Sequence, residues 1–116
     1  MRQPDIALAA YLLDFMRGTW LDYSWSREAR RFLPSLLLGV YVWHRRGKYP
    51  TMRDAAAFMH ADPASSGPKY IRQAADAGLI RVENHPRDKR KYILFPTEKL
   101  MHLMDKELTK IGTVAQ

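Results

Sequence analysis

The sequence contains no cysteine. That excludes a disulfide framework and any thiolate metal site, and it fits a reducing compartment. Long apolar stretches are missing as well: the longest, residues 33–43, falls well short of the roughly 20 residues a membrane span requires. No secretory signal is apparent, because Asp5 interrupts the start and no clean cleavage site follows the first apolar stretch. Acidic residues are in short supply, 12 against 19 Lys and Arg, for a formal net charge of +7. Such an excess of positive charge favours a polyanionic partner such as nucleic acid, and it bears on association rather than on fold. A soluble cytoplasmic protein is expected, with no membrane partner.

Catalytic and metal-binding patterns are also lacking. His44, His60, His85 and His102 have no spacing that places two on one helix face, and no HExxH or Cys/His set exists. There is no P-loop and no dinucleotide fingerprint. Ser66-Gly67-Pro68-Lys69 matches the Ser-x-x-Lys string of penicillin-binding enzymes, but the companion Ser-Asp-Asn and Lys-Thr-Gly strings are absent. The reading is of no enzyme, no cofactor and no metal.

What is present suits one globular domain. The chain has 116 residues, 47% hydrophobic and 27% charged, enough apolar content that disorder is not the default. The domain divides into N-terminal helices in residues 1–50, a central unit in 51–95 and a C-terminal helix in 96–116. The central unit reads helix, turn, helix, then two short strands around the polar tip Asn84-His85-Pro86-Arg87-Asp88-Lys89-Arg90. That order is the plan of a winged helix-turn-helix, so the fold class is mainly α with a small β-hairpin.

Thr51 with Asp54 three residues on resembles a capping box opening the first helix of this unit. The second helix starts at Ser65 or Ser66, either of which is expected to cap free amides, with Pro68 tolerated in its first turn. Gly78 ends it. Ile71, Ala74, Ala75 and Gly78 fall on one side at helical spacing, while Ser65, Ser66, Lys69, Arg72, Gln73 and Asp76 fall on the other. Ser, Lys, Arg and Gln together can donate and accept hydrogen bonds at base edges in a major groove, with Tyr70 at the flank. In the hairpin, Arg87, Lys89, Arg90 and Lys91 crowd charge into the tip and second strand, within reach of phosphate or a minor groove. A basic helix face or a charged loop alone is as readily a solvated surface; their combination points to double-stranded DNA.

These residues carry a resemblance to the DNA-binding lobe of the multiple-antibiotic-resistance regulator (MarR) family. The matching pieces are Gly78-Leu79-Ile80-Arg81 after the second helix, Asp88-Lys89-Arg90 in the wing, and Pro96-Thr97-Glu98-Lys99 opening the next helix. The resemblance covers somewhat less than half the chain, and Pro96 and Leu100 depart from the family's pattern. It implies that Arg90 meets DNA while Asp88 holds its geometry. It also implies pairing through the terminal helices and a small-molecule effector near the junction of the dimerisation and DNA-binding lobes. The chain stops at Gln116 without the family's usual final helix, so the expected dimer is cut down or differently arranged.

The flanking segments fit that plan. Asp5 is expected to cap a helix from Ile6 to Arg17 that Gly18 stops, and its apolar residues lie on every side, so part of it is expected to face a partner. Trp20, Tyr23 and Trp25 in the next connection read as core packing or as a ligand pocket. Pro34 disfavours helix at Leu33, which predicts a short helix ending near Phe32 and a second over residues 34–46 with Leu36, Leu37, Val40, Tyr41 and Trp43 inward. Thr97 caps a last helix to about Ile111, whose apolar stripe of Leu100, Met101, Leu103, Met104, Leu108 and Ile111 is wide enough to join the first helix in a homodimer interface.

The competing reading is a winged-helix protein–protein interaction module without sequence-specific DNA binding, which would expose an apolar patch where a DNA reader carries a positive face. A membrane-surface role for the first helix is weaker, because that helix lacks a basic polar face.

Overall fold

The computed structural model describes residues 6–18, 20–21 and 25–115, with side chains described through residue 112. The elements are α1 (Ile6–Arg17), α2 (Arg27–Arg45), α3 (Met52–Phe58), α4 (Ser66–Asp76), β1 (Ile80–Asn84), β2 (Tyr92–Pro96) and α5 (Glu98–Ala115). The strands pair antiparallel with Val82 opposite Leu94. Asp5 and Tyr23 lie outside the described residues.

The central element is α2, and it corrects the expectation of two helices. It runs unbroken through Pro34, although an interior proline removes one hydrogen bond and costs about 3 kcal/mol. Burial offsets that cost: Leu33, Leu36, Leu37 and Val40 are all fully buried, on both sides of the proline. Gly18 makes room for the ring, since a Cβ there would lie 3.3 Å from Pro34 Cγ and 3.0 Å from the Arg30 carbonyl oxygen. Ser26 opens the helix by accepting from the Ala29 amide at 3.1 Å. From there α2 packs against α1, α3, α4, α5 and β2.

The core gathers around it from Ile71 and Ala74 of α4, Leu79, Ile80 of β1, Leu94 of β2, and Leu100 and Met104 of α5. Trp20 is core packing, its ring stacked on Phe15 at 4.9 Å and its Nε1 donating to the Phe15 carbonyl at 2.9 Å. Trp25 also packs against the core. Helix α5 extends to Ala115, beyond the expected end near Ile111. Thr97 caps it, accepting from the Leu100 amide at 3.2 Å. Much of its wide stripe is spent inside the chain: Leu103, Leu108 and Ile111 also lie against the core. Helix α1 differs, since Ile6, Tyr11, Leu12, Leu13 and Met16 are exposed.

Candidate nucleic-acid interface

Helix α4 is held from behind and open in front. Ile71 and Ala74 are buried, while Ser65, Lys69, Arg72 and Asp76 are exposed and Ser66 and Gln73 half-buried. The helix meets α3 where Gly67 crosses Ala56: a Cβ on Gly67 would stand 2.8 Å from the Ala56 Cβ and 2.9 Å from the Asp62 carbonyl oxygen. That oxygen accepts from the Gly67 amide at 2.8 Å and from the Ser65 amide at 3.3 Å. The start of α4 is therefore capped by the Asp62 backbone, and the expected serine cap is corrected. Ser65 makes no side-chain cap, and Ser66 Oγ accepts instead from the Asp62 amide at 3.0 Å. At the other end Gly78, at φ 76°, allows a closure in which the Gly78 amide bonds Ala75 and the Leu79 amide bonds Ala74.

Tyr70 is the one predicted site residue that the fold turns inward. It is 1% exposed, which removes it from the flank of the groove-facing surface. Its ring stacks on Phe32 at 5.2 Å, with Lys69 Nζ 5.6 Å from its centroid on α4 and Arg31 5.7 Å from the Phe32 centroid on α2. Tyr70 thus serves as a platform under Lys69. Its hydroxyl has no hydrogen-bond partner among the described residues, and burial first, then the nearby Glu28 carboxylate, pushes the phenol above its ordinary value.

The wing tip is built from its own residues. The His85 amide bonds the Lys91 carbonyl at 2.8 Å, Asn84 Nδ2 donates to the Lys89 carbonyl at 2.8 Å, and the Arg87 amide donates to His85 Nδ1 at 3.0 Å. Asp88 Oδ1 accepts from the Arg90 amide at 3.1 Å and pairs with Arg90 Nε at 3.5 Å. Apart from the Arg90–Asp88 pair, these bonds use backbone groups and the Asn84, His85 and Asp88 side chains, and the four cations Arg87, Lys89, Arg90 and Lys91 stand exposed around the tip.

A second connection fixes the wing against the helix-turn-helix. Thr51 bridges Ile93, and the Leu94 amide donates to the Pro50 carbonyl at 2.9 Å. Between the start of α3 and the start of β2 opens a groove of about 350 Å³ lined by Thr51, Met52, Arg53, Arg90, Lys91 and Tyr92. Arg53 has no counterpart among the residues singled out from sequence. It sits inside the capping stretch, where Asp54 Oδ2 accepts from both the Thr51 amide and the Thr51 hydroxyl at 3.0 Å. The capping carboxylate is turned toward Thr51, which is the only linear hint that its basic neighbour is available.

No family model matches the chain, and no curated protein matches it significantly. Solved structures do match. The PcaV transcriptional regulator from Streptomyces coelicolor, in complex with its natural ligand, superposes with a TM-score of 0.59 at 16% identity, over 96% of this chain and 70% of PcaV. A MarR transcriptional regulator from Methanosarcina mazei Go1 gives 0.58 at 17%, over 95% and 75%. The fold is that of the MarR regulators. BpsR of Bordetella bronchiseptica, described with the regulation of its DNA binding by 6-hydroxynicotinic acid, gives 0.56 at 15% identity over 99% of this chain and 78% of BpsR. The MarR fold thus extends over nearly the whole chain, where the sequence motifs reached less than half of it.

Proposed function

We propose that this chain is a sequence-specific, double-stranded-DNA-binding transcriptional regulator, with α4 in the major groove and the wing on phosphate or the minor groove. One observation carries the reading: the open face of α4 and the wing tip both present cations and hydrogen-bonding side chains. None of the large exposed hydrophobics among the described residues lies on α4 or in residues 85–91. An interaction module would place an apolar patch there. The regulators whose fold this chain shares support the same reading.

The first test is fluorescence anisotropy with a labelled random-sequence duplex, titrated across salt. Tight, steeply salt-dependent binding supports the reading; no binding at low salt by folded protein sinks it. With a site selected from a random pool, Arg72→Ala is expected to lower discrimination between that site and random DNA by about 1–3 kcal/mol, the range for a bidentate base contact. An unchanged ratio removes Arg72 from the base-reading set.

The proposal includes a homodimer through the first and last helices. The support is α1, where Met16 is 63% and Leu13 50% exposed, an apolar face that water does not favour. Sedimentation at micromolar concentration is expected to give a dimer for the unaltered chain and a monomer of unchanged helicity for Leu13→Asp. A monomer in both cases overturns the pairing. A small-molecule effector belongs to the same proposal, as PcaV is held with its natural ligand. Its candidate seat is the groove of about 280 Å³ between α1 and α5, where Trp20 and Phe15 lie beside Asp14, Glu107 and Lys110.

A further inference from the structure

We infer that the groove between α3 and the wing is a phosphodiester seat, with Arg53 one of its cations, gripping the DNA strand that passes between the helix-turn-helix and the wing. The seat presupposes the DNA-binding reading and adds a contact that neither the recognition helix nor the wing tip supplies.

The lining carries the chemistry. Three of its residues, Arg53, Arg90 and Lys91, are cationic, and no carboxylate is among them. Arg53 and Lys91 are exposed and form no ion pair among the described residues. Asp54 is committed to Thr51 in the capping box. Asp88 engages Arg90 through Nε, leaving the outer edge of that guanidinium for an incoming anion, the edge that forms paired bonds with phosphate oxygens. Met52 and Tyr92 supply apolar wall beside these charges, suited to the deoxyribose that accompanies each phosphate.

Placement supplies the rest. A helix lying in a major groove and a wing reaching the adjoining minor groove stand on opposite sides of one phosphate strand, so that strand must cross between them. One wall of the groove is the start of α3, which packs against α4, and the other is the wing; the Thr51–Ile93 bridge and the Leu94–Pro50 bond hold them at a set separation. With the backbone separation set before the ligand arrives, only the lining side chains remain to be ordered on binding.

The test compares salt dependence on one random-sequence duplex for the unaltered chain, Arg53→Ala, Arg53→Lys, Arg90→Ala and Lys106→Ala. Lys106 is exposed on α5 and does not line this groove. Arg53→Ala is expected to take about one unit from the slope of log K against log salt and to weaken binding about eightfold at 0.1 M. Arg53→Lys is expected to retain most of the slope, and Lys106→Ala all of it. If Arg53→Ala keeps the full slope while Arg90→Ala loses one unit, the seat is wrong and the DNA reading stands. The seat is equally wrong if Lys106→Ala flattens the slope as much as Arg53→Ala does, since only net charge is then being measured. If the unaltered chain binds no duplex, the DNA reading falls and the seat with it.

Discussion

Replacing Arg87 and Arg90 together with alanine is expected to weaken binding to any duplex by roughly sixtyfold at 0.1 M salt. Each phosphate contact adds about 0.9 to the slope of log K on log salt, so at 0.1 M one lost contact is a factor of about eight and two compound. The loss should fall on specific and non-specific DNA alike, because contacts to phosphate carry no sequence. Fold stability should hardly change. The bonds that shape the tip run through the Arg87 and Arg90 backbone amides, to His85 Nδ1 and Asp88 Oδ1, and alanine retains both amides. The Arg90–Asp88 pair that is lost has its arginine side chain 93% exposed, where ion pairs contribute little. Anisotropy across salt reads the affinity and urea denaturation reads the fold. A loss of less than twofold, with the slope intact, would mean that the tip does not touch the backbone.

Gly67→Val is expected to destabilise the protein by about 1–3 kcal/mol, the usual penalty of overfilling a packed contact. The reason is specific to where α4 crosses α3. The first atom of any side chain would stand 2.8 Å from the Ala56 Cβ and 2.9 Å from the Asp62 carbonyl oxygen. That oxygen cannot withdraw freely, because it accepts from the Gly67 amide at 2.8 Å and caps the helix. Relief therefore requires α4 to tilt or its first turn to unwind, and either displaces Ser65, Lys69 and Arg72. Discrimination between sites should fall along with the urea midpoint. Gly112→Ala is the contrasting case: a Cβ there meets nothing within 4 Å among the described residues, and alanine in a helix interior gains about 0.5–1 kcal/mol over glycine. A Gly67→Val protein as stable as the unaltered chain would show that the crossing is looser than its distances indicate.

Much of this arrangement was legible in the residues. The capping box of Thr51 and Asp54, the Gly78 closure and the turn formers at the wing tip are local devices, and each is made by residues within a few positions of one another. What escaped the sequence depended on distant partners. Pro34 reads as a helix end because its local preference is unfavourable, and only the burial of Leu33, Leu36 and Leu37 against the rest of the chain overrides it. Tyr70 looked available because Lys69 and Arg72 lie close to it in sequence; its place was decided by Phe32, far away along the chain. The serine caps failed for a local reason instead: the Asp62 carbonyl, three positions before Ser65, accepts from the Ser65 and Gly67 amides. Arg53 carries no motif, and its relation to Arg90 and Lys91 arises only when β2 is tied back to Pro50 and Thr51.

The wing tip has one more implication. Its described hydrogen bonds close among residues 84–91, so its shape is a local property, and side chains not engaged in those bonds can be exchanged with little effect on the body. In α4 the opposite holds, because exposed Lys69 and Arg72 alternate with buried Gly67, Tyr70 and Ile71 on the same few turns. Binding strength and thermodynamic stability are therefore separable traits in the wing and entangled ones in the recognition helix. On the proposed DNA-binding reading, a lineage or an engineer could retune how firmly the protein grips a duplex through a handful of surface exchanges at the tip. On the same reading, changing which sequence it prefers would mean altering residues one step from its core.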